Sequence, residues 1–188
     1  MYVSYSDYYE WGDSVYEVNA KGSGCYTHIL KSMMGQLFNM LSHHNKLFVL
    51  RFDLRQPRYQ PDNRRITKFN RILFKRLKRK YRFKRIGFCW AREQVTSAAP
   101  HYHYVLFLDG SRVDYSDKLL RHIHEVWGNM SGTYYVPQNC FYHFHRSDDT
   151  CIRDVIKRIS YFAKARSKGM RPPQTKDYST SRIKQKEP

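Results

Sequence analysis

The sequence lacks the features that identify several common protein classes. Its four cysteines, Cys25, Cys89, Cys140 and Cys151, form no CxxC pair, so a zinc knuckle or a redox pair has little support, and scattered free thiols are typical of a reducing compartment. No apolar run approaches the roughly 20 residues of a membrane span. The acidic start has neither the basic nor the apolar region of a signal peptide. We therefore expect a cytoplasmic protein that does not enter a membrane.

Acidic residues are missing from one long segment. Between Asn63 and Arg92 there is no Asp or Glu, whereas the first twenty residues contain four acids and no Lys or Arg. The chain of 188 residues has 34 Lys and Arg against 16 Asp and Glu, a net charge of +18. A chain this basic usually binds a polyanion, most often nucleic acid. The acidic start is either a peripheral segment or a cover that mimics DNA over the basic surface.

Hydrophobic spacing predicts a mixed fold of helices and strands. The predicted elements are a helix at 25–44, a strand at 47–55, a helix at 62–81, strands at 83–93 and 101–108, a helix at 115–128, a strand at 139–146 and a helix at 150–167. A hairpin loop is expected at 96–100. The order α–β–α–β–β–α–β–α indicates an α+β fold, with an antiparallel central sheet and helices packed on one side. This ferredoxin-like layout is shared by RRM-type RNA-binding domains, so it leaves the function open.

Three parts of the chain are expected. Residues 1–45 form an N-terminal acidic segment plus a helix, residues 46–168 form the central domain, and residues 169–188 form a basic tail that we expect to be loosely held.

The helix predicted at 62–81 combines an apolar stripe with a basic surface. Its stripe consists of Ile66, Phe69, Leu73 and Leu77. The basic surface either is solvated or contacts DNA, and these alternatives are evenly weighted. The candidate DNA contacts are Arg64, Arg65, Lys68 and Arg71.

The most informative pattern is a glutamate followed by a His-x-His pair. In a strand, residues two apart point to the same face, so His101 and His103 project together. If residue 93 pairs with 101 and 91 with 103, Glu93 lies across from His101, with Cβ atoms about 5 Å apart. A carboxylate and two imidazoles can hold Mg²⁺ or Mn²⁺ and leave positions open for water and a phosphate. The alternative is a surface histidine pair beside an ordinary ion-pairing glutamate.

Two other His-x-His pairs serve as internal comparisons. His122 and His124 lie on a predicted helix, where residues two apart diverge by about 200°. His143 and His145 lie on a predicted strand but have no acid at matching spacing. The Glu93 group is therefore the preferred metal site.

A tyrosine and a lysine follow in the last predicted helix. Tyr161 and Lys164 are three residues apart and so share a helix face. A phenol is a weak nucleophile unless it is activated, and a neighbouring ammonium can orient a phosphate and ease ionisation of the phenol. Alone this spacing is common, and packing of Tyr161 on the sheet is the alternative. Combined with the metal site, it favours attack of Tyr161 on a phosphodiester.

Together these residues resemble the motifs of the HUH endonuclease superfamily. More closely, the chain is similar over about 46–183 to inovirus-type replication proteins and the related YagK/YfjJ-like prophage family. The motifs that carry this resemblance are RFDLR at 51–55, Trp-x-x-Glu at 90–93, HYHYVLFLDG at 101–110, Trp127, YFAK at 161–164 and the pair Ser181-Arg182.

The resemblance implies an HUH endonuclease fold and a rolling-circle replication initiator. Such an enzyme nicks and joins single-stranded DNA, with a divalent metal held by Glu93, His101 and His103 and a 5′-phosphotyrosyl link to Tyr161. It implies single-stranded or hairpin origin DNA as partner, and host replication proteins as further candidates. No tyrosine lies one turn after Tyr161, which favours a mechanism with one tyrosine.

Other candidate DNA contacts come from the strands. Asp53 and Arg55 either line the active site or bind DNA, and Arg51 with Asp53 is equally well interpreted as a structural ion pair. Trp90, like Tyr102 and Tyr104, either stacks on unpaired bases or packs in the core. Two alternative functions stay open at this point: a non-catalytic, RRM-like nucleic-acid-binding domain, and an HUH transposase or relaxase.

Overall fold

A computed structural model of the chain describes residues 2–94, 99–166 and 168–187. The hairpin loop expected at 96–100 falls mostly on residues outside these ranges. The helices are α1 (Thr27–His43), α2 (Arg64–Tyr81), α3 (Asp117–Gly128) and α4 (Asp149–Ser160), and a 3₁₀ turn at Tyr161–Ala163 follows α4. The strands are β1 (Val3–Ser4), β2 (Tyr8–Trp11), β3 (Ser14–Glu17), β4 (Cys25–Tyr26), β5 (Lys46–Arg55), β6 (Gly87–Glu93), β7 (His101–Asp109), β8 (Thr133–Tyr135), β9 (Phe141–His145) and β10 (Tyr178–Thr180).

The long strand β5 organises the central sheet. One edge of β5 pairs with β7, and the other edge pairs first with β9 and then with β8. Beyond β7 lie β6 and then β10, and every pairing is antiparallel. The elements β5–α2–β6–β7–α3–β9 form the expected ferredoxin-like core, with strand order β6–β7–β5–β9. The predicted α+β class with an antiparallel sheet is confirmed.

Helices cover both faces of this sheet. The side chains of α2 and α3 pack against one face, which presents Phe48, Leu50 and Phe52 of β5. On the opposite face α1 and α4 pack against Leu47 and Val49 of the same strand. The expectation of helices on one side holds for the ferredoxin-like core, and α1 and α4 add a second layer. Apolar residues occupy both odd and even positions of β5, so both faces of the strand are buried. The sequence predicted only one buried face.

The apolar stripe predicted for α2 is confirmed. Its four members, Ile66, Phe69, Leu73 and Leu77, are fully buried against the sheet.

Both ends of the chain form strands. At the N-terminus β2 pairs with β3, and β1 pairs with β4 just before α1. At the C-terminus β10 pairs with β6, where Tyr178 faces Ala91. Beyond β10, the carbonyl of Ile183 accepts hydrogen bonds from α1 side chains at 3.2 and 2.7 Å. The tail expected to be loosely held therefore forms an edge strand of the sheet, because its backbone finds partners on β6 and α1.

The acidic N-terminal segment lies against α4 rather than over the basic surface of α2. Glu17 is 2.7 Å from the ammonium of Lys157, and the guanidinium of Arg153 donates to the carbonyl of Val15 at 2.8 Å. These contacts support the peripheral interpretation of this segment and not the DNA-mimic one. No helix within the described residues is long and apolar enough to cross a membrane.

Candidate active site

Strand register places the candidate ligands in adjacent rows on one face of the sheet. In the antiparallel pair β6–β7, Glu93 pairs with His101 and Ala91 with His103, as the sequence predicted. On the other side of β7, Asp53 of β5 pairs with His103. Cross-strand partners share a face, so the two histidines and both carboxylates project toward the α1 and α4 layer.

Glu93, His101 and His103 form a group that can hold a metal ion. One donor atom from each lies within 4.8 Å of the others, and no second group of this kind occurs among the described residues. Glu93 and His103 are buried and His101 is half-buried. A carboxylate oxygen with two imidazole nitrogens suits Mg²⁺ or Mn²⁺ and also other divalent ions. The possible metal site is therefore where the sequence predicted it.

His103 lies between two carboxylates. Its Nδ1 is 2.8 Å from Oδ1 of Asp53, and its Nε2 is 3.2 Å from Oε2 of Glu93. Burial lowers the pKa of His103, but the hydrogen bonds with Asp53 and Glu93 outweigh burial and raise its pKa overall. The charge of Asp53 favours a proton on Nδ1, which would leave Nε2 as the nitrogen for a metal ion. The pKa of His101 is lowered, by burial first and then by the charge of His103.

A buried lysine holds the other oxygen of the glutamate. The ammonium of Lys168 is 2.8 Å from Oε1 of Glu93, and the lysine side chain has no exposed surface. Burial alone would raise the pKa of Glu93. The hydrogen bond from His103 and the charge of Lys168 outweigh that effect and lower the pKa to about 2. Glu93 is therefore ionised, with one oxygen on Lys168 and the other directed at His103.

The 3₁₀ turn after α4 places Tyr161 beside the ligand group. Its ring centroid is 5.3 Å from that of His103, and the two rings meet edge to face. The ammonium of Lys164 lies 5.6 Å from the centroid of the Tyr161 ring and donates to the carbonyl of Lys21 at 3.1 Å. The guanidinium of Arg166 is 3.4 Å from the Tyr161 hydroxyl. The helix predicted to reach 167 ends at Ser160, yet Tyr161 and Lys164 remain neighbours.

Arg51 connects the sheet to the tyrosine. Its guanidinium carbon lies 5.5 Å from the ring centroid of Tyr161 and 5.3 Å from that of Phe162, and its Nε is 3.9 Å from Oδ1 of Asp53. The ion pair is present and lies beside the ligand group, so the structural interpretation and a role in the site are compatible and both stay open. A cavity of about 330 Å³ opens here, lined by Asn19, Arg51, Tyr142, Asp154, Lys157, Arg158 and Tyr161.

Arg55 lies at the rim of the site. It pairs with His101 across β5 and β7, and its exposed guanidinium lies 5.7 Å from the ring centroid of Tyr135.

The candidate DNA contacts on α2 lie on the opposite face of the sheet from the ligand group. Arg64, Lys68 and Arg71 are exposed and line a cavity of about 550 Å³ between α2 and the chain around β10. The guanidinium of Arg65 instead stacks 5.0 Å from the ring centroid of Trp127. Any DNA contact by these residues is therefore separate from the ligand group.

The aromatic residues proposed to stack on bases are buried. Trp90 is 4% exposed and meets Tyr102 edge to face at 5.3 Å. The hydroxyls of Tyr102 and Tyr104 donate to Asn63 at 3.0 Å and to Asn70 at 2.7 Å. These contacts favour core packing for all three aromatic residues.

Two site residues have no signal in the sequence. Lys168 and Arg166 belong to an ordinary basic stretch, and their positions depend on how the chain turns back after the 3₁₀ turn. Of the comparison pairs, Nε2 of His143 donates to the carbonyl of Gly110 at 2.8 Å, and Nδ1 of His145 shares a hydrogen bond with the hydroxyl of Ser147 at 2.7 Å. These two histidines therefore have other partners.

A family model describes most of this structure. The model for the YagK/YfjJ C-terminal domain matches residues 12–176. The match includes β3 and α1, so it begins well before the 46–183 range that the motifs covered. No curated protein and no solved structure matches the chain. With the matched segment running from the N-terminal hairpin through the ligand group and Tyr161, the chain belongs to the YagK/YfjJ C-terminal domain family.

Proposed function

We propose that this protein is a metal-dependent HUH-type endonuclease that nicks and rejoins single-stranded DNA through Tyr161. The observation that carries the proposal is the Tyr161 ring, 5.3 Å from the ring of His103 within the Glu93, His101 and His103 group. A tyrosine beside a divalent-ion site, on a chain with a net charge of +18, fits attack on a DNA phosphodiester. The resemblance to inovirus-type replication proteins supports rolling-circle initiation as the biological setting.

The residues present fit a divalent ion. Asp53 contacts Nδ1 of His103 and Lys168 contacts one oxygen of Glu93. The ion would therefore be held by His101 together with Nε2 of His103 and the other oxygen of Glu93, which face each other at 3.2 Å. When bound, Mg²⁺ or Mn²⁺ would polarise the scissile phosphate and stabilise charge on the departing oxygen.

The chain's own residues account for the nucleophile. The hydroxyl oxygen of Tyr161 attacks phosphorus, the bond from phosphorus to the 3′ oxygen breaks, and the 5′ phosphate stays on the tyrosine. The departing strand end takes up a proton and leaves as a free 3′-OH. Arg166, 3.4 Å from the Tyr161 hydroxyl, can hold the phenolate or a phosphate oxygen, and Lys164 adds positive charge beside the ring.

The RRM-like alternative is less well supported by the fold. RRM domains bind RNA bases on an open sheet face, whereas here helices cover both faces of the sheet. A transposase or relaxase would use the same site. Cleavage of a circular single-stranded origin by a monomer would favour the replication proposal over paired cleavage of two hairpin ends by a dimer.

Tyr161→Phe provides the direct test. Wild-type protein is incubated with labelled single-stranded oligonucleotides and Mn²⁺, and a covalent adduct is expected on a denaturing gel, mapped to Tyr161 by peptide mass spectrometry. The variant should form no adduct and should bind the same DNA within about two-fold, because only the hydroxyl is removed.

Tyr135→Phe is the matched control, because Tyr135 is exposed and pairs with Asp53 on the same sheet face. It should leave the adduct intact. An adduct that maps to Tyr135, or that forms equally in EDTA, would contradict the proposed mechanism.

A further inference from the structure

A second cavity lies beside the site, between α1 and the edge strand β10. Its volume is about 590 Å³, within the range of small-ligand pockets. Tyr26 and His28 line it from the start of α1, Tyr178 from β10, and Arg171 and Arg182 from the chain on either side of β10. None of these residues takes part in the proposed cleavage.

The cavity contains an aromatic cluster. The ring of His28 lies 5.5 Å from that of Tyr26 and 5.5 Å from that of Tyr178, centroid to centroid. All three rings are only partly buried, unlike Trp90 in the core. Burial lowers the pKa of His28, so its ring is neutral at physiological pH. Nδ1 of His28 is buried and has no hydrogen-bond partner among the described residues, so the ring offers the cavity a stacking face rather than this nitrogen.

The cavity lies in the same row of the sheet as the ligand group. Tyr178 pairs with Ala91, and Ala91 pairs with His103, so the three lie in one row on one sheet face. Two strand spacings separate Tyr178 from His103, on the order of 10 Å. Gly169, which also lines the cavity, directly follows the lysine that holds Glu93.

Positive charge surrounds the cluster. Arg171 is held by Asp177 at 2.7 Å. Arg182 is exposed and has no ion-pair partner in the part of the chain that the structure describes, and Lys176 is exposed on the same rim. An anionic chain that leaves the ligand group along this row would meet aromatic faces and free cations in turn.

We propose that this cavity binds an unpaired nucleotide of single-stranded DNA next to the scissile phosphate. The base stacks on the ring of Tyr178 or His28, and Arg182 contacts the backbone. Aromatic faces beside cations are the common means of holding single strands without reading their sequence. The inference rests on the proposed function for its substrate, although the binding itself needs neither metal nor cleavage.

The test measures binding in EDTA with the Tyr161→Phe variant as the parent, so that no cleavage interferes. A single-stranded oligonucleotide containing 5-iodouracil is cross-linked by light, and peptides are mapped by mass spectrometry. Cross-links are expected at Tyr178, His28 or Tyr26. In fluorescence anisotropy with the same strand, His28→Ala with Tyr178→Leu should raise the Kd about ten-fold.

Arg182→Ala is the second variant, because an exposed arginine can be removed without unfolding the protein. It should raise the Kd about three-fold and reduce the salt dependence of binding. Tyr115→Leu, at an exposed tyrosine before α3, is the matched control and should change nothing.

Cross-links confined to other surfaces, or an unchanged Kd in all cavity variants, would overturn the inference. Equal binding of a duplex of the same length, equally weakened by the variants, would also overturn it, because stacking needs unpaired bases. The proposed nuclease activity is tested separately by adduct formation with Mn²⁺, so each proposal can fail alone.

Discussion

At the scale of single residues, the site depends on which groups the two ring nitrogens of His103 contact. A neutral imidazole has one N–H and one lone pair, and the hydrogen bond made by one nitrogen decides what the other can do. Asp53 lies 2.8 Å from Nδ1, so its charge favours a proton there and leaves the lone pair of Nε2 for an ion, which would take the place of the Nε2 contact with Glu93. Asp53 is therefore a positioning residue that acts through His103.

Asp53→Asn should weaken metal binding. The neutral amide keeps the volume of Asp53 but loses the charge that fixes the proton on Nδ1, so Nε2 becomes a poorer ligand. We expect a 10- to 100-fold rise in the Kd for Mn²⁺, the usual effect of losing such a partner. Isothermal titration of the DNA-free protein measures it.

The control is Asp109→Asn, at the far end of β7. Asp109 also faces a histidine, with its Oδ2 3.6 Å from Nδ1 of His44, so the same chemical change is made away from the ligand group. An unchanged Mn²⁺ affinity in Asp53→Asn, or an equal loss in both variants, would refute the role given to Asp53.

The charge of Lys168 acts on metal binding in the opposite direction to the charge of Asp53. A buried carboxylate is costly unless an opposite charge compensates it, and the ammonium at 2.8 Å does so for Glu93 without an ion. The same ammonium repels a divalent cation placed beside it. Asp53 therefore favours the ion while Lys168 opposes it, and Lys168 also keeps Glu93 ionised when no ion is present.

At the scale of elements, the end of α4 determines where the tyrosine lies. The helix stops at Ser160, and the 3₁₀ turn begins with Tyr161. The hydroxyl of Ser160 accepts a hydrogen bond from the backbone N–H of Asn19 at 2.8 Å and donates to the carbonyl of Lys157 at 2.7 Å. Just beyond the turn, the N–H of Ala165 donates to a carbonyl of the N-terminal segment at 3.0 Å. The N-terminal segment thus braces the turn from both sides.

Ser160→Ala should misplace the tyrosine and leave the metal site intact. The change leaves the partly buried N–H of Asn19 without this acceptor, which costs about 0.5–1.5 kcal/mol and weakens the contact between the N-terminal segment and the turn. A small displacement of a nucleophile can slow a reaction considerably, so we expect adduct formation about ten-fold slower. Gel-based adduct rates and Mn²⁺ titration measure the two effects, and the Kd for Mn²⁺ should not change.

Ser42→Ala is the matched control for that variant. The Ser42 hydroxyl makes the same pair of bonds on α1, accepting from the N–H of Lys186 at 2.9 Å and donating to the carbonyl of Asn39 at 2.7 Å. It lies away from the turn and should leave the adduct rate unchanged. Equal slowing in both variants would mean that general stability, and not the brace, sets the rate.

Sequence reasoning succeeded where contacts are local. Strands β6 and β7 are consecutive, so the alternation of side chains along each strand and the short segment between them were enough to predict the pairing of Glu93 with His101. The contact between Asp53 and His103 needs the register of β5 against β7, which crosses some fifty residues and a helix. The position of Lys168 depends on a segment without periodicity. The three residues of β10 are too few to show alternation, so the edge strand could not be predicted from pattern.

At the scale of the whole molecule, positive charge lies on two surfaces besides the rim of the cavity between α1 and β10. One group surrounds Tyr161 and includes Arg51, Arg158 and Arg166. The other is the exposed side of α2 on the opposite face of the sheet. The N-terminal half of α2 lies beneath the ligand end of the sheet, because Tyr102 bonds to Asn63 just before the helix. A DNA that passes around this end would contact both surfaces.

Replacing Arg64, Lys68 and Arg71 with Gln should therefore weaken DNA binding without altering the chemistry. Lys68 and Arg71 have no ion-pair partner among residues 2–94, 99–166 and 168–187, so they are free to contact phosphates. Each lost contact should reduce the slope of log K against log salt by about 0.7–0.9. The adduct rate at saturating DNA should stay within about two-fold.

A control triple at Lys75, Lys78 and Arg79, in the second half of the same helix, removes the same charge farther from the ligand end. Fluorescence anisotropy with hairpin DNA at several salt concentrations compares the two triple variants. An equal loss of DNA affinity in both would show that the whole basic helix attracts DNA electrostatically, and would contradict a DNA path beside the ligand group.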